Sequence, residues 1–236
     1  MIKSTVIYLL RTYFRSSSYF LPCFLYFLLT VLIYSYKPNP IADSYSVTAA
    51  FLFFFSCWIG RGVYHAENPD QRAITITHSR NKWKFYLSEW FSAIAVTFIL
   101  AVVTILFPVL MNMFERFPDR GEWITALVGH FSLGILGSSL ALLTQRSFIH
   151  KTIYGLNLLL IWSLAALLHT QLISLLPENM KCISWILPPV LPIIQSMIQS
   201  DSVASVLVLS GFATVYAIIL ASCYIYFSSR KNDVML

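Results

Sequence analysis

The sequence predicts an all-α membrane protein of six transmembrane helices, and three observations lead there. The 236 residues are 58% hydrophobic and only 11% charged, against roughly 25% charged in an average soluble domain. The apolar residues gather in runs of the length a bilayer requires, about 20 residues each. The basic residues between those runs alternate in density from one loop to the next, as membrane orientation demands.

Six runs qualify: Tyr19–Tyr36, Tyr45–Tyr64, Phe85–Phe114, Ile124–Leu143, Ile153–Leu172 and Val203–Phe227. The third and sixth exceed the bilayer's need, so tilt or extension into water is expected of them. With the N-terminus inside, the inner segments hold Lys3, Arg11, Arg15, Arg61, Arg72, Arg80, Lys82, Lys84, Arg146, Lys151, Arg230 and Lys231. The outer ones hold Lys37, Arg116, Arg120 and Lys181, beside Asp43, Glu115, Asp119, Glu122, Glu178 and Asp201. This positive-inside bias places both termini in the cytoplasm of a multi-pass protein of the cell membrane. It also accounts for the net charge of +6 without a nucleic-acid partner. Lys3, Arg11 and Arg15 before an apolar run also resemble a secretory signal, but no A-x-A-like cleavage site follows, and retention as the first helix is expected.

Residues 1–17 read as an amphipathic elbow helix. Val6, Leu9, Leu10, Tyr13 and Phe14 share one side at helical spacing, and Lys3, Ile7, Arg11 and Arg15 run down another. Such a helix would lie along the inner leaflet in contact with lipid; the alternative is a frayed tail.

The longest inner loop runs from Arg61 to Lys84. Asn68 before Pro69 is a helix-start signal, since Asn caps free amides and Pro fits the first helical position. Gln71 has the spacing to close a capping box, and Asp70 suits the helix dipole. A short cytoplasmic helix over Pro69–Ile76 is expected, with Ser79 capping the helix that follows. Tethered tightly at both ends, it would act as a lever on the second and third spans. The alternative is an ordinary polar loop.

Between the fifth and sixth spans, residues 173–202 carry four of the ten prolines within an apolar stretch. Irregular backbone at membrane depth survives only under protein cover or beside water, so a broken, re-entrant or interfacial segment is expected there.

Motifs for chemistry are sparse. The sequence holds no G-x-x-x-x-G-K-[ST] phosphate loop and no H-E-x-x-H. Cys23, Cys57, Cys182 and Cys223 have no metal-type spacing. Gly137–Ser139 has the G-x-S form of intramembrane serine proteases, with His169 the available base. Ionisable groups inside a membrane are candidate sites: His130 and His169 stand at similar depths near the outer ends of the fourth and fifth spans. They could face each other or a polar cavity, or each bond a helix carbonyl. Glu89, two turns past Lys82, is expected to pair with Arg61. Asn112, Asn157 and Gln171 read as bridges between helices.

The architecture of an N-terminal amphipathic helix, six spans, a long first inner loop and a broken segment before the last span resembles the ABC-2 type permeases, membrane subunits of ABC exporters. In sequence the likeness rests on YHAENPDQRAITITHSRNKWKFYL, Tyr64–Leu87, where Glu67, Arg72, Ser79 and Arg80 follow the family's order of a Glu, a short helix and a Ser-Arg step. Ser88 and Glu89 stand near where members often carry a Gly and a Lys, and Asn68-Pro69-Asp70 replaces a glycine-containing turn. The resemblance implies that Glu67, Asp70, Arg72, Thr75, Ser79 and Arg80 couple the chain to a separate ATPase. Two copies of that subunit would bind ATP and Mg, so this chain needs no cofactor and is no enzyme itself. It further implies a second permease chain, identical or paralogous, and export of a hydrophobic or amphipathic substrate such as an antimicrobial peptide. Two other classes stay open: an ion-coupled secondary transporter or channel, and an intramembrane enzyme built on Ser139 or His169.

Overall fold

The computed structural model describes residues 2–79, 81–145, 148–149, 151–175, 177, 187–199 and 203–230. Those residues form α-helices and no strands: α1 Ile2–Arg15, α2 Phe20–Ile33, α3 Ile41–Tyr64, α4 Pro69–His78, α5 Lys82–Leu110, α6 Arg120–Leu142, α7 Thr152–Leu167, α8 His169–Ser174, α9 Val190–Gln199 and α10 Val203–Arg230.

Four of them, α3, α5, α6 and α10, are long and apolar enough to cross a membrane. At 1.5 Å per residue they run about 35–44 Å, more than the ~30 Å of hydrocarbon. The other two expected spans differ from the sequence reading. The first is carried by α2, which has only 14 residues and meets α1 at 80°; counting that bent pair as one span gives up to five candidates. The fifth is split, because α7 stops after 16 residues and the chain breaks at Leu168 before α8.

The pair α3 and α6 forms the centre, with α5 and α10 packed on α6 and turning more of their surface outward. Small residues bring α3 and α6 together. A Cβ at Gly60 would touch Ala141 Cβ at 3.0 Å, and one at Gly137 would fall inside the contact distance of Ser56 Oγ and the Phe53 carbonyl. Close backbone approach through small-xxx-small pairs is how helices associate where lipid removes the hydrophobic drive. Ser56-xxx-Gly60 and Gly137-xxx-Ala141 are such pairs. Gly137 is therefore packing surface, whatever its likeness to a G-x-S motif.

Large apolar side chains project outward from the bundle: Leu32, Ile99, Ile161, Val208 and Ile219 are all more than half exposed. An apolar exterior on this scale marks lipid as the solvent. The protein is an all-helical membrane protein.

The expected re-entrant stretch 173–202 is described at its two sides, and residues 176, 178–186 and 200–202 lie outside the described residues. On one side α9 buries Val190, Ile193 and Met197 against α3, α6 and α10, so apolar backbone there is covered by protein.

Two ends of the bundle can be told apart by their contents. At one, the segment after α2 meets the segment after α5: Asn39 N donates to Met113 O at 3.1 Å, and Lys37 Nζ to Met111 O at 3.0 Å. Asn112, expected on the third span as a bridge between helices, instead sits past the end of α5 with φ of 49°. This is the left-handed stop that Asn tolerates. At the other end lie α1, α4 and the ends of α3, α5, α6 and α10 that carry the polar joint described next.

Candidate functional site

Helix α4 is a short polar helix that the fold holds against this end of the bundle. Pro69 occupies its first turn and Asn68 its cap position, as read from sequence, and α4 extends to His78. The capping box does not form. Gln71 instead turns its amide to Tyr8, Nε2 donating to Tyr8 Oη at 2.7 Å. Nor does Ser79 cap the next helix: it ends α4, and Asn81 caps α5 by accepting from Trp83 N at 3.1 Å. The sequence signal for this cap is Asn81 itself, immediately before the basic-aromatic turn Lys82-Trp83-Lys84.

The inner face of α4 enters two polar clusters. In the first, Tyr8 Oη donates to Glu67 Oε1 at 2.7 Å and the Thr75 hydroxyl donates to the same oxygen at 3.2 Å. Glu67 is buried, so α1 and α4 share a carboxylate that hangs on the turn between α3 and α4. In the second, Arg72 meets Glu89 of α5. Nη2 lies 3.0 Å from Oε1 and donates to Oε2 at 3.0 Å. Tyr224 of α10 donates to Glu89 Oε2 at 3.4 Å and accepts from Arg72 at 3.5 Å. Gln145, just past α6, donates to the same Glu89 oxygen at 3.5 Å. The guanidinium carbon stands 5.5 Å from the Phe85 ring centre and 5.6 Å from that of Tyr86, within cation–π range. Burial by itself would loosen the Arg72 proton. The Glu89 carboxylate, with Tyr224 and Tyr86, outweighs that and raises the pKa, so Arg72 is a fixed cation.

Glu89 is therefore not the partner of Arg61, contrary to the sequence expectation. Arg61 Nη1 donates to both the Thr144 carbonyl and its hydroxyl at 3.1 Å, where α6 has run out of its own donors. Gly155 makes room for it, since a Cβ there would come within 3.0 Å of Arg61 Nη1. Helix direction decides the exchange of partners: Arg72 on α4 reaches over the start of α5, while Arg61 on α3 faces the end of α6.

The outer face of α4 is different in kind. Asp70, Gln71, Ile74, Thr77 and His78 are exposed, and Ile74 shows 61% of its surface. Positions 70, 74, 77 and 78 form one stripe. Of the six coupling residues expected, Asp70 lies on this open stripe. Glu67, Arg72 and Thr75 face inward, and Ser79 is half-buried at the helix end. Arg80 lies outside the described residues. Tyr8, Tyr224 and Gln145 were not legible in advance, because two are aromatic residues inside apolar patterns and the third trails a span.

The intramembrane candidates fall apart. His130 is fully buried with Nδ1 2.7 Å from the Ala126 carbonyl and Nε2 3.1 Å from Thr48 Oγ1. A carbonyl can only accept, so Nδ1 carries a proton; Nε2 lies against the Thr48 hydroxyl, which also reaches the Ser44 and Tyr45 carbonyls of its own helix. His130 thus bonds a helix carbonyl and a neighbouring span. His169 opens α8, which packs on α7 and α9, and none of His130's partners lies there. Ser139 accepts from Trp90 Nε1 at 2.9 Å and is hydrogen-bonded to the Ile135 carbonyl at 2.9 Å, so its hydroxyl is engaged between α5 and α6.

At the opposite end, a cavity of about 350 Å3 opens among α3, α6, α9 and α10, lined by Tyr45, Ala126, Met197 and Val206 with Arg116, Asp119 and Glu122 at its edge. Arg116 binds Glu122 through two bonds of 2.9 and 2.7 Å, and Asp119 and Glu122 close a capping box at the start of α6. Among the described residues no group of three His, Cys, Asp or Glu is placed to hold a metal.

Compared with known families, with curated proteins and with solved structures, the chain matches none of them. What fold and site define is a class: a helical membrane protein with one polar helix wired to the bundle on its inner face and open on its outer.

Proposed function

We propose that this chain is the transmembrane permease subunit of an ATP-driven exporter, similar to the ABC-2 type. In this reading α2 and the α7–α8 pair complete six crossings, both termini are cytoplasmic, and α4 is the helix on which a separate ATPase subunit pushes. Two ATPase copies carry ATP and Mg, and a second permease chain, identical or paralogous, faces this one. The cargo is a hydrophobic or amphipathic molecule such as an antimicrobial peptide, entering from lipid.

One observation carries the reading: α4 offers Asp70, Ile74, Thr77 and His78 outward while Arg72 ties its other side to Glu89 of α5 and Tyr224 of α10. A helix with an exposed apolar centre between polar neighbours fits a groove on a partner. A push on it reaches two membrane-length helices through a buried ion pair. The test is Ile74→Asp. The native chain, purified from its own membranes, is expected to bring ATP hydrolysis with it. Ile74→Asp should fold equally well and lose that activity. An unchanged activity in the variant, or hydrolysis by the chain freed of all partners, overturns the assignment.

The burial of Glu89 inside α5 favours a second reading, an ion-coupled carrier, because such carriers place ionisable groups within their spans. Substrate movement by the reconstituted chain without nucleotide would establish it. Its pairing with Arg72 supports the first reading, since a carboxylate held by a fixed cation is a joint before it is a proton carrier.

A further inference from the structure

We propose that α1 is a lipid-reading arm: anionic phospholipid bound along its outer face holds Tyr8 against Glu67 and thereby fixes α4 to the bundle.

The two faces of α1 differ in kind. Leu9 and Tyr13 are buried, and Tyr13 lies so close to α3 that a Cβ on Gly62 would come within 2.9 Å of its ring. Lys3, Ile7, Arg11, Phe14 and Arg15 are exposed. On a 3.6-residue helix these five fall within about a third of the circumference, facing away from Leu9 and Tyr13. Phe14, expected on the side of Leu9 and Tyr13, is 46% exposed in the fold and Ile7 41%, so two apolar side chains stand among three cations. None of the three cations makes an ion pair among the described residues, and residues 1–18 contain no Asp or Glu.

Charge and geometry choose the occupant. An acidic protein or nucleic acid would match the cations but leave Ile7 and Phe14 in water. A bilayer surface takes both, the rings and chains entering the acyl boundary and the cations meeting phosphate. Because α1 meets α2 at 80°, α1 lies near the membrane plane when α2 runs along the normal. The start of α5, the helix against which α1 packs most, carries Lys82, Trp83 and Lys84, with Trp83 48% exposed. Trp flanked by Lys is an interfacial anchor, so both helices mark one membrane surface.

The consequence runs through Tyr8. It donates to Glu67 at 2.7 Å and accepts from Gln71 of α4 at 2.7 Å. An α1 seated on lipid keeps that hydroxyl in place; an α1 that lifts withdraws it. This coupling needs only the α1–α4 contact and stands whether or not the driving partner is an ATPase.

Each cation near an anionic leaflet is worth roughly fivefold in affinity, so three give on the order of a hundredfold preference over a zwitterionic surface. The experiment is hydrogen–deuterium exchange of the purified full chain in nanodiscs of phosphatidylcholine alone and of phosphatidylcholine mixed with phosphatidylglycerol. Amides of α1 and α4 are expected to exchange on the order of tenfold more slowly with phosphatidylglycerol present. The triple variant Lys3→Gln, Arg11→Gln, Arg15→Gln should lose the lipid response at both helices. Tyr8→Phe should lose it at α4 and keep it at α1. Equal α4 exchange in the two lipids overturns the proposal with no variant needed. So does a triple variant that still responds, or Tyr8→Phe with an intact α4 response.

Discussion

Replacing Arg72 by Ala is expected to cost about 3–5 kcal/mol of folding stability, the range for breaking a buried ion pair from one side. The size follows from what is left behind. The Glu89 side chain is only 2% exposed and that of Arg72 13%, so removing the cation strands a buried carboxylate with Tyr224 and Gln145 beside it, at 3.4 and 3.5 Å. Thermal unfolding in detergent reads the loss, and α4 should become the first site of protease cleavage. Removing both charges together, as Arg72→Met with Glu89→Leu, is expected to recover most of the stability, since no uncompensated charge remains. The double variant should nevertheless have lost the link from α4 to α5 and α10, which separates the role in folding from the proposed role in transmission. A single Arg72→Ala chain as stable as the native one would mean that the ion pair does not hold α4.

Gly137→Ala is expected to destabilise the chain by at least about 2 kcal/mol, toward the upper part of the range for overpacking a tight core. One methyl suffices because the atoms it meets include the Phe53 carbonyl and the Cys57 amide of α3, which are backbone and cannot swing aside. Helices α3 and α6 must part along their length, and they are the two most enclosed of the long helices. Gly134→Ala, three residues earlier on the same helix, is the control. Its new methyl would meet Leu52 and Thr97 side chains at 3.7 Å, ordinary contact, so stability should stay within about 0.5 kcal/mol. Unfolding of the two variants side by side tests the assigned α3–α6 interface; equal effects would refute it.

Those two positions illustrate what the sequence could and could not convey. Apolar run length was enough to find α3, α5, α6 and α10, because a lipid-solvated helix must be apolar along its length whatever it packs against. The same criterion overestimated α2 and α7. Run length counts apolar residues and is blind to where the chain turns, as it does after Ile33 and at Leu168. Pro69 and Asn68 located α4 correctly, since cap chemistry is local. The use of α4's side chains was not local. Gln71 has good capping-box spacing, yet Tyr8, 63 residues away in sequence, claims its amide. Sequence pairs Glu89 with Arg61, and only the paths of α3 and α4 decide that Arg72 holds it while Arg61 closes the end of α6. Among Ser138, Ser139 and Gly137 the motif-like order suggested chemistry, whereas small size is what the α3–α6 contact requires.

Everything functional in this account depends on the side of the membrane that α4 occupies. The direct measurement places a single cysteine at Thr77, on the open face of α4, in a chain whose Cys23, Cys57, Cys182 and Cys223 are replaced by Ala. A membrane-impermeant maleimide is then applied to intact cells and to inside-out vesicles. Labelling is expected in the vesicles alone, with protection once the proposed ATPase partner is bound. Labelling from the outside of intact cells would contradict it.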